Sequence, residues 1–226
     1  MNDNKSAFSS TDYDRKIKQT LPYYDEFYEQ VIELVKLFDH NAVRWLDIGC
    51  GTGKMGSVAF ENLELERFVF CDSSDEMIRI AKERFKCHNA EFCVCDVQKL
   101  AYANEFNVIT SIQVNHYLRI EERKIALQKC YEALENNGLF ISFENFAPFT
   151  DLGKTVYLEK WKRYQMKQGK NLEESEDHIK RYGKDYFPIS ISENMELMRN
   201  CGFKAVEILW LSNMQVGLWG IKISRP

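Results

Sequence analysis

No run among the 226 residues approaches the roughly 20 apolar positions that a membrane helix needs. The first residues, with Asp3, Lys5 and several Ser and Asn, lack the apolar stretch of a secretory leader, so a cytoplasmic protein is expected. Charge of one sign is scarce too: the net charge of -4 creates no field that favours a polyanion. Paired CxxC spacing is missing. The one Cys/His cluster, Cys87, His88, Cys93 and Cys95, therefore carries no zinc pattern, and no metal is expected. The seven cysteines are odd in number, and Cys71, Cys93 and Cys95 fall inside strand-like apolar runs. In a chain without an export signal they read as reduced, small core residues. Neither an internal repeat nor a low-complexity linker interrupts the chain. What is present is an ordinary balance, 45% apolar and 28% charged, in a length that suits one sizeable α/β domain over 1–226.

Periodicity supplies the order of elements. Apolar positions Phe27, Val31, Leu34, Val35 and Phe38 recur at helical spacing after Pro22, which suits a first helical turn. Strand patterns cover Val43–Ile48, Phe68–Cys71, Glu91–Cys95, Phe106–Ile112 and Leu139–Phe143. Between them lie helical patterns at about 54–62, 74–86 and 120–135, the last stopped by Asn136-Asn137-Gly138. Such alternation predicts a parallel sheet covered on both faces, with ligands beyond the carboxyl ends of its strands. After Glu144 the rhythm gives way to helical patterns at about 153–168 and 172–183. A helix near 191–200 and two strands, Phe203–Leu211 and Gln215–Ile223, then close the chain. Their short link at Ser212-Asn213 predicts an antiparallel pair.

The most informative segment is Trp45-Leu46-Asp47-Ile48-Gly49-Cys50-Gly51-Thr52-Gly53. An apolar strand ending in a carboxylate runs into three alternating glycines, which let a backbone approach a ligand closely. The helix that follows presents its free N–H groups to the same place. Gly51–Gly56 also satisfies GxGxxG, so a nicotinamide enzyme must be considered. A P-loop is excluded, because Met55 follows Lys54 where Ser or Thr is required. Asp47 argues against a dinucleotide, since a carboxylate beside a pyrophosphate repels it. Two further strands end in carboxylates, at Asp72 and Asp96, and a carboxylate at Asp72 can accept both ribose hydroxyls. Ser73 or Ser74 followed by Asp75 and Glu76 also reads as a plain helix cap.

Together these segments resemble the class I S-adenosylmethionine (SAM)-dependent methyltransferases of small-molecule type. The resemblance is strong over about 40–145 and one of pattern over 190–226. It implies a Rossmann-like, doubly wound α/β fold, with a seven-stranded, mostly parallel sheet, an antiparallel C-terminal strand and a helical lid. It further implies SAM as cofactor and S-adenosylhomocysteine as product. Asp47, Gly49, Cys50, Gly51 and Gly53 would hold the amino acid end, Asp72 the ribose, and Ser73 and Met77 the adenosine. Asp96 and Val97 would read the adenine. Ser111-Ile112-Gln113-Val114-Asn115-His116-Tyr117-Leu118 resembles the motif after the fourth strand. There Ser111 and Gln113 would border the methionine part, while Asn115, His116 and Tyr117 face the acceptor. His116 is the candidate general base, its ordinary pKa lying near working pH; the alternative is that it closes the pocket by packing.

Residues 1–25 and 146–188 correspond to lid regions of such enzymes. Tyr13, Arg15, Tyr23 and Tyr24 are the candidates for closing over the cofactor. Tyr157, Trp161 and Tyr164 form an aromatic stripe that reads first as core or homodimer packing and second as substrate contact. The basic residues Lys154 to Lys170 are soon balanced by Glu173, Glu174, Glu176 and Asp177, so a solvated face is expected. The expected partner is a small-molecule acceptor, not nucleic acid, with tRNA retained as an alternative. Two other readings share the fold. One is a carboxy-SAM synthase-like enzyme, which needs an arginine for the added carboxylate, a role to which the sequence assigns no position. The other is a SAM-binding protein without catalysis.

Overall fold

The computed structural model describes residues 8–10, 12–38 and 42–223. Seven strands form one sheet: β1 (Val43–Ile48), β2 (Leu65–Asp72), β3 (Glu91–Val94), β4 (Phe106–Ile112), β5 (Leu134–Asn145), β6 (Lys204–Ser212) and β7 (Gln215–Ile221). Their order is β3-β2-β1-β4-β5-β7-β6. The first five pair in parallel, and β7 is antiparallel to both β5 and β6. The short Ser212–Gln215 connection permits only that antiparallel pairing, and it slots β7 between its neighbours rather than at the edge. The strand order reverses at β1 and β4, which opens a crevice at their carboxyl ends.

Strands buried on both faces explain the near-continuous apolar runs. Trp45, Phe68, Phe70, Ile141 and Phe143 face one core, while Leu46, Ile48, Val69, Cys71 and Phe140 face the other. Helices cover both faces: α2 (Tyr24–Leu37), α3 (Lys54–Asn62), α4 (Asp75–Arg84), α5 (Ile120–Ala133) and α8 (Ile191–Asn200). Helix α4 starts at Ser74, whose hydroxyl accepts the Met77 N–H at 3.1 Å. Helix α8 starts with a reciprocal Ser190/Glu193 capping box. Beyond the sheet lie α1 (Tyr13–Lys18), α6 (Asp151–Lys167) and α7 (Leu172–Lys180).

Three boundaries depart from the periodicity. Strand β2 begins at Leu65 because Arg67, in a strand, is satisfied by Glu91 and Glu105 at 2.7 and 2.9 Å. Helix α5 stops at Ala133 because Leu134 already pairs with Phe106. Asn136-Asn137-Gly138 is then an irregularity inside β5, with Asn137 at φ 63. Helix α1 lies in a segment whose polar sequence shows only weak periodicity. Among the described residues, no helix is long and apolar enough to cross a membrane, and no group of three or more His, Cys, Asp or Glu is placed to hold a metal.

Candidate active site

The glycine loop is drawn onto β2 by its backbone. The N–H of Cys50 bonds the Cys71 carbonyl at 3.0 Å, and the N–H of Gly51 bonds Asp72 Oδ2 at 2.9 Å. The other oxygen of Asp72 accepts the Ser74 N–H at 2.9 Å. This carboxylate therefore ties the loop after β1 to the start of α4 while it faces the cleft. Gly49 has φ +62, and a Cβ built there would lie 2.2 Å from Val114 Cγ2. Val114, the second residue after β4, packs directly on the glycine, so only glycine lets the loop and the β4 turn meet.

Asp47 is almost fully buried and accepts a 2.8 Å hydrogen bond from the Thr110 hydroxyl, which itself accepts from Trp45 Nε1 at 2.8 Å. Burial, with the neighbouring Asp72 charge adding, pushes its carboxyl up to about 7. A cationic ligand group beside Asp47 would reverse that. Tyr24, Tyr28 and Lys54 line this end of the cleft with it. The Tyr28 hydroxyl donates to the Tyr24 hydroxyl at 2.6 Å, and burial raises both phenols.

The main cleft carries Asp72, Ser73, Met77, Asp96 and Val97 along one side. Val97 opens a short 3-10 turn after Asp96, so its N–H lies next to that carboxylate. On the other side stand Gln113, Val114 and Tyr117. Tyr13 of α1 reaches into the same cleft. Helix α1 is held there by Asp14, which accepts from the Thr52 hydroxyl of the glycine loop and from Arg84 of α4.

Beyond β4 the chain turns sharply, with Gln113 at φ +60, a strained conformation for a residue with a side chain. Its N–H reaches the Phe143 carbonyl at 2.7 Å, and Nε2 donates to Gln215 Oε1 at 2.8 Å. His116 and Glu144 form a buried pair, Nδ1 to Oε2 at 2.7 Å. Glu144 also accepts the backbone N–H groups of Asn115 and His116, at 3.0 and 3.1 Å, and the Ser142 hydroxyl at 3.0 Å.

A second, much smaller chamber adjoins the cleft through Tyr13, Gln113 and Tyr117. His116 and Asn145 line it from the sheet, Phe8 and Ile17 from the N-terminal segment, and Trp161, His178 and Tyr186 from the 146–188 region. These two regions clasp each other. Trp161 Nε1 donates to the Thr20 carbonyl at 2.6 Å, and Lys170 Nζ lies 2.6 Å from the Thr20 hydroxyl. Burial brings the Lys170 ammonium down to about 8.

Most of the sequence-derived positions line these cavities: Asp47, Gly49, Cys50, Gly51, Asp72, Ser73, Met77, Asp96, Val97, Gln113, His116, Tyr117, Tyr13, Tyr24 and Trp161. Six are elsewhere. A Cβ on Gly53 would meet Phe85 at 2.6 Å, so this glycine turns toward α4 and caps α3. Ser111 and Asn115 lie beneath the cleft, bonded to each other at 3.2 Å, because β4 buries that face. Arg15 points to solvent and pairs with Asp12. Tyr23 is exposed and packs edge-on to Trp210. Tyr157 is half-buried against the core without reaching the chamber. Glu144, His178 and Tyr186 were missed. Glu144 carries the signal already used for Asp47, a carboxylate near a strand's end; His178 sits in a polar helix with nothing to mark it.

Residues 46–138 match the family described as a methyltransferase domain. The chain is 25% identical to the carboxy-S-adenosyl-L-methionine synthase of Campylobacter hominis over 206 residues, covering 88% of this chain and 85% of that protein. Among solved structures it resembles the putative methyltransferase of Haloferax volcanii in complex with the Trm112 activator. That TM-score is 0.71 at 14% identity, over 99% of this chain and 100% of that one. It also resembles the phosphoethanolamine N-methyltransferase 2 of Haemonchus contortus in complex with phosphomonomethylethanolamine and S-adenosylhomocysteine. There the TM-score is 0.69 at 12% identity, over 96% of this chain and 58% of that one.

Proposed function

We infer that this chain is a class I SAM-dependent methyltransferase that transfers the sulfonium methyl of SAM to a small-molecule acceptor beside His116. The observation that carries this reading is the placing of Asp72 and Asp96 on one cleft and of Asp47 on the pocket that adjoins it, with Gly49 lining both, at the ends of three successive strands. The groups suit SAM. A buried carboxylate at Asp47 wants a cation, the glycine loop admits a close backbone approach, and Asp72 and Asp96 offer acceptors for hydroxyls and an amino group.

SAM, when bound, supplies an activated methyl whose C–S bonding electrons stay on sulfur as the thioether product forms. Asp47 would hold the ammonium, Asp72 the ribose and Asp96 with the Val97 N–H the adenine. Tyr13 and the N-terminal segment, clasped by α6, act as the lid that excludes water. Glu144 takes the Nδ1–H of His116, which leaves Nε2 with its lone pair. For a hydroxyl acceptor, Nε2 receives the proton as the oxygen is methylated, and Glu144 stabilises the imidazolium.

A second reading is favoured by the carboxy-SAM synthase relatives, whose ligand bears an added carboxylate. Among the described residues, none of those lining the main cleft and the chamber is an arginine or lysine, and Lys54, at the Asp47 end, is paired with Asp25 at 3.3 Å. Mass spectrometry of ligand retained through purification, with calorimetry of SAM and S-adenosylhomocysteine binding, separates the two. Retained SAM or its demethylated product supports methyl transfer, and a carboxylated sulfonium overturns it.

A further inference from the structure

The side-chain amide of Gln113 is held in one sense. Its Nε2 donates to the Phe143 carbonyl at 3.3 Å and to Gln215 Oε1 at 2.8 Å. A backbone carbonyl can only accept, so the amide cannot be turned over, and both Nε2 hydrogens are used inside the protein. Gln215 is fixed in the same direction. Its own Nε2 donates to Asn145 Oδ1, opposite it across the β5–β7 ladder, and both residues are almost fully buried. Gln113 Oε1, by contrast, meets no donor among the described residues, yet it is not sealed in as the unpaired atoms of Arg123 and His178 are. It is the one polar atom of this side chain left for the cavities that Gln113 lines. The backbone that turns it there has φ +60, which a residue with a side chain holds only where its surroundings impose it.

The three cavities say what passes this oxygen. Tyr13, Gly49, Gly51 and Ile112 line both the Asp47 pocket and the main cleft. A ligand with its ammonium at Asp47 and its ribose at Asp72 crosses that shared stretch, and in SAM the atom joining those two parts is sulfur. Gln113 follows Ile112 and stands, with Tyr13 and Tyr117, where the main cleft meets the chamber. The negative end of a fixed amide dipole thus borders the passage of a centre that is cationic before methyl transfer and neutral after it.

Resting on the methyltransferase reading, we propose that Gln113 is a specificity residue that reads the charge on sulfur. Its Oε1 attracts the sulfonium and the polarised C–H bonds around it. To the thioether of the product it offers only a lone pair facing lone pairs. The site thereby favours SAM over S-adenosylhomocysteine, and the Gln215–Asn145 chain matters because it keeps the oxygen, not the NH2, turned to the ligand.

Calorimetry with three ligands tests this on the wild type and on Q113M, whose side chain has similar length and no oxygen. The ligands are SAM, S-adenosylhomocysteine and sinefungin, in which an amine-bearing carbon replaces the sulfonium. In Q113M, SAM is expected to bind about threefold more weakly and sinefungin, with its N–H donors, about tenfold, while S-adenosylhomocysteine is unchanged. Equal weakening of all three ligands overturns the proposal and leaves Gln113 a structural residue; so do affinities that do not change. Should Q113M fail to fold, 15N-glutamine-labelled wild type decides. The Gln113 amide resonance must differ between the SAM and S-adenosylhomocysteine complexes, and identical shifts overturn the assignment. A wild type that binds neither ligand sinks the methyltransferase reading itself, whereas binding of both with ratios untouched in Q113M sinks this inference alone.

Discussion

One carboxylate oxygen, Glu144 Oε2, accepts both the backbone N–H of His116 at 3.1 Å and the ring Nδ1–H of the same residue at 2.7 Å. The imidazole is thereby fixed in position and in tautomer at once, with Nε2 left to receive a proton. Substituting Glu144→Gln keeps the shape and removes the charge that stabilises imidazolium. Turnover of SAM on a hydroxyl acceptor is expected to fall about 100-fold, with S-adenosylhomocysteine affinity unchanged. Equal turnover in this variant, measured by product mass spectrometry, would leave His116 a packing residue.

Asp72 joins the glycine loop to α4 by accepting two backbone N–H groups. Asp72→Ala leaves both donors without their partner and removes the acceptor proposed for the ribose. S-adenosylhomocysteine binding should weaken between about 10- and 100-fold by calorimetry, since hydrogen bonds to a charged group contribute about 1.5–3 kcal/mol. An unchanged affinity would place the ribose elsewhere.

Asp47 predicts a pH dependence. Burial raises its folded pKa to about 7, well above the ordinary carboxylate value. The native state therefore holds a proton that the unfolded state releases, and stability falls as pH rises from about 4 to about 7, then levels. A ligand ammonium reverses the trend for binding. S-adenosylhomocysteine should bind more tightly from pH 5.5 to pH 8 (about the range spanning that titration). 5′-Methylthioadenosine, which lacks the amino acid end, should show no such gain. Asp47→Asn should flatten the profile, and a profile that persists in this variant would refute the assignment.

Gly49→Ala places a Cβ 2.2 Å from Val114 Cγ2 on a backbone of φ +62. Two costs add: the left-handed conformation, about 1–2 kcal/mol, and the collision. Val114→Ala in the same chain should relieve only the second. Chemical denaturation of the two single variants and the double should give a coupling of opposite sign to the single losses. Simple additivity would mean that the loop moves freely away from β4.

Much of this architecture was legible before any coordinates. Strands Val43–Ile48 and Phe106–Ile112 and helix Lys54–Asn62 match their apolar patterns residue for residue, because strands covered on both faces need unbroken apolar runs. The strand-end carboxylates were readable for a similar reason. A charged residue closing such a run is costly unless something polar waits there. Arg15 and Tyr23 fall outside the cleft lining, because a variable segment gives no period by which to tell its inward face. Ser111 and Asn115 lie beneath the cleft because motif spacing does not say which way β4 turns after Ile112.

Local sequence thus determined the alternating βα elements, the glycine turn and the three acidic tips, since each depends on backbone preference and burial over a few adjacent residues. Only the folded chain decided that Glu144 of β5 meets His116 of the β4 turn, and that Phe8, Trp161, His178 and Tyr186 close a chamber with it. Those partners are 28 residues apart in the first case and up to 178 apart (8 to 186) in the second. The pairing of β4 with β5 brings the first pair together, and hydrogen bonds from Trp161 and Tyr164 of α6 to the carbonyls of Thr20 and Lys18 join the two regions of the second, neither of which a local pattern encodes.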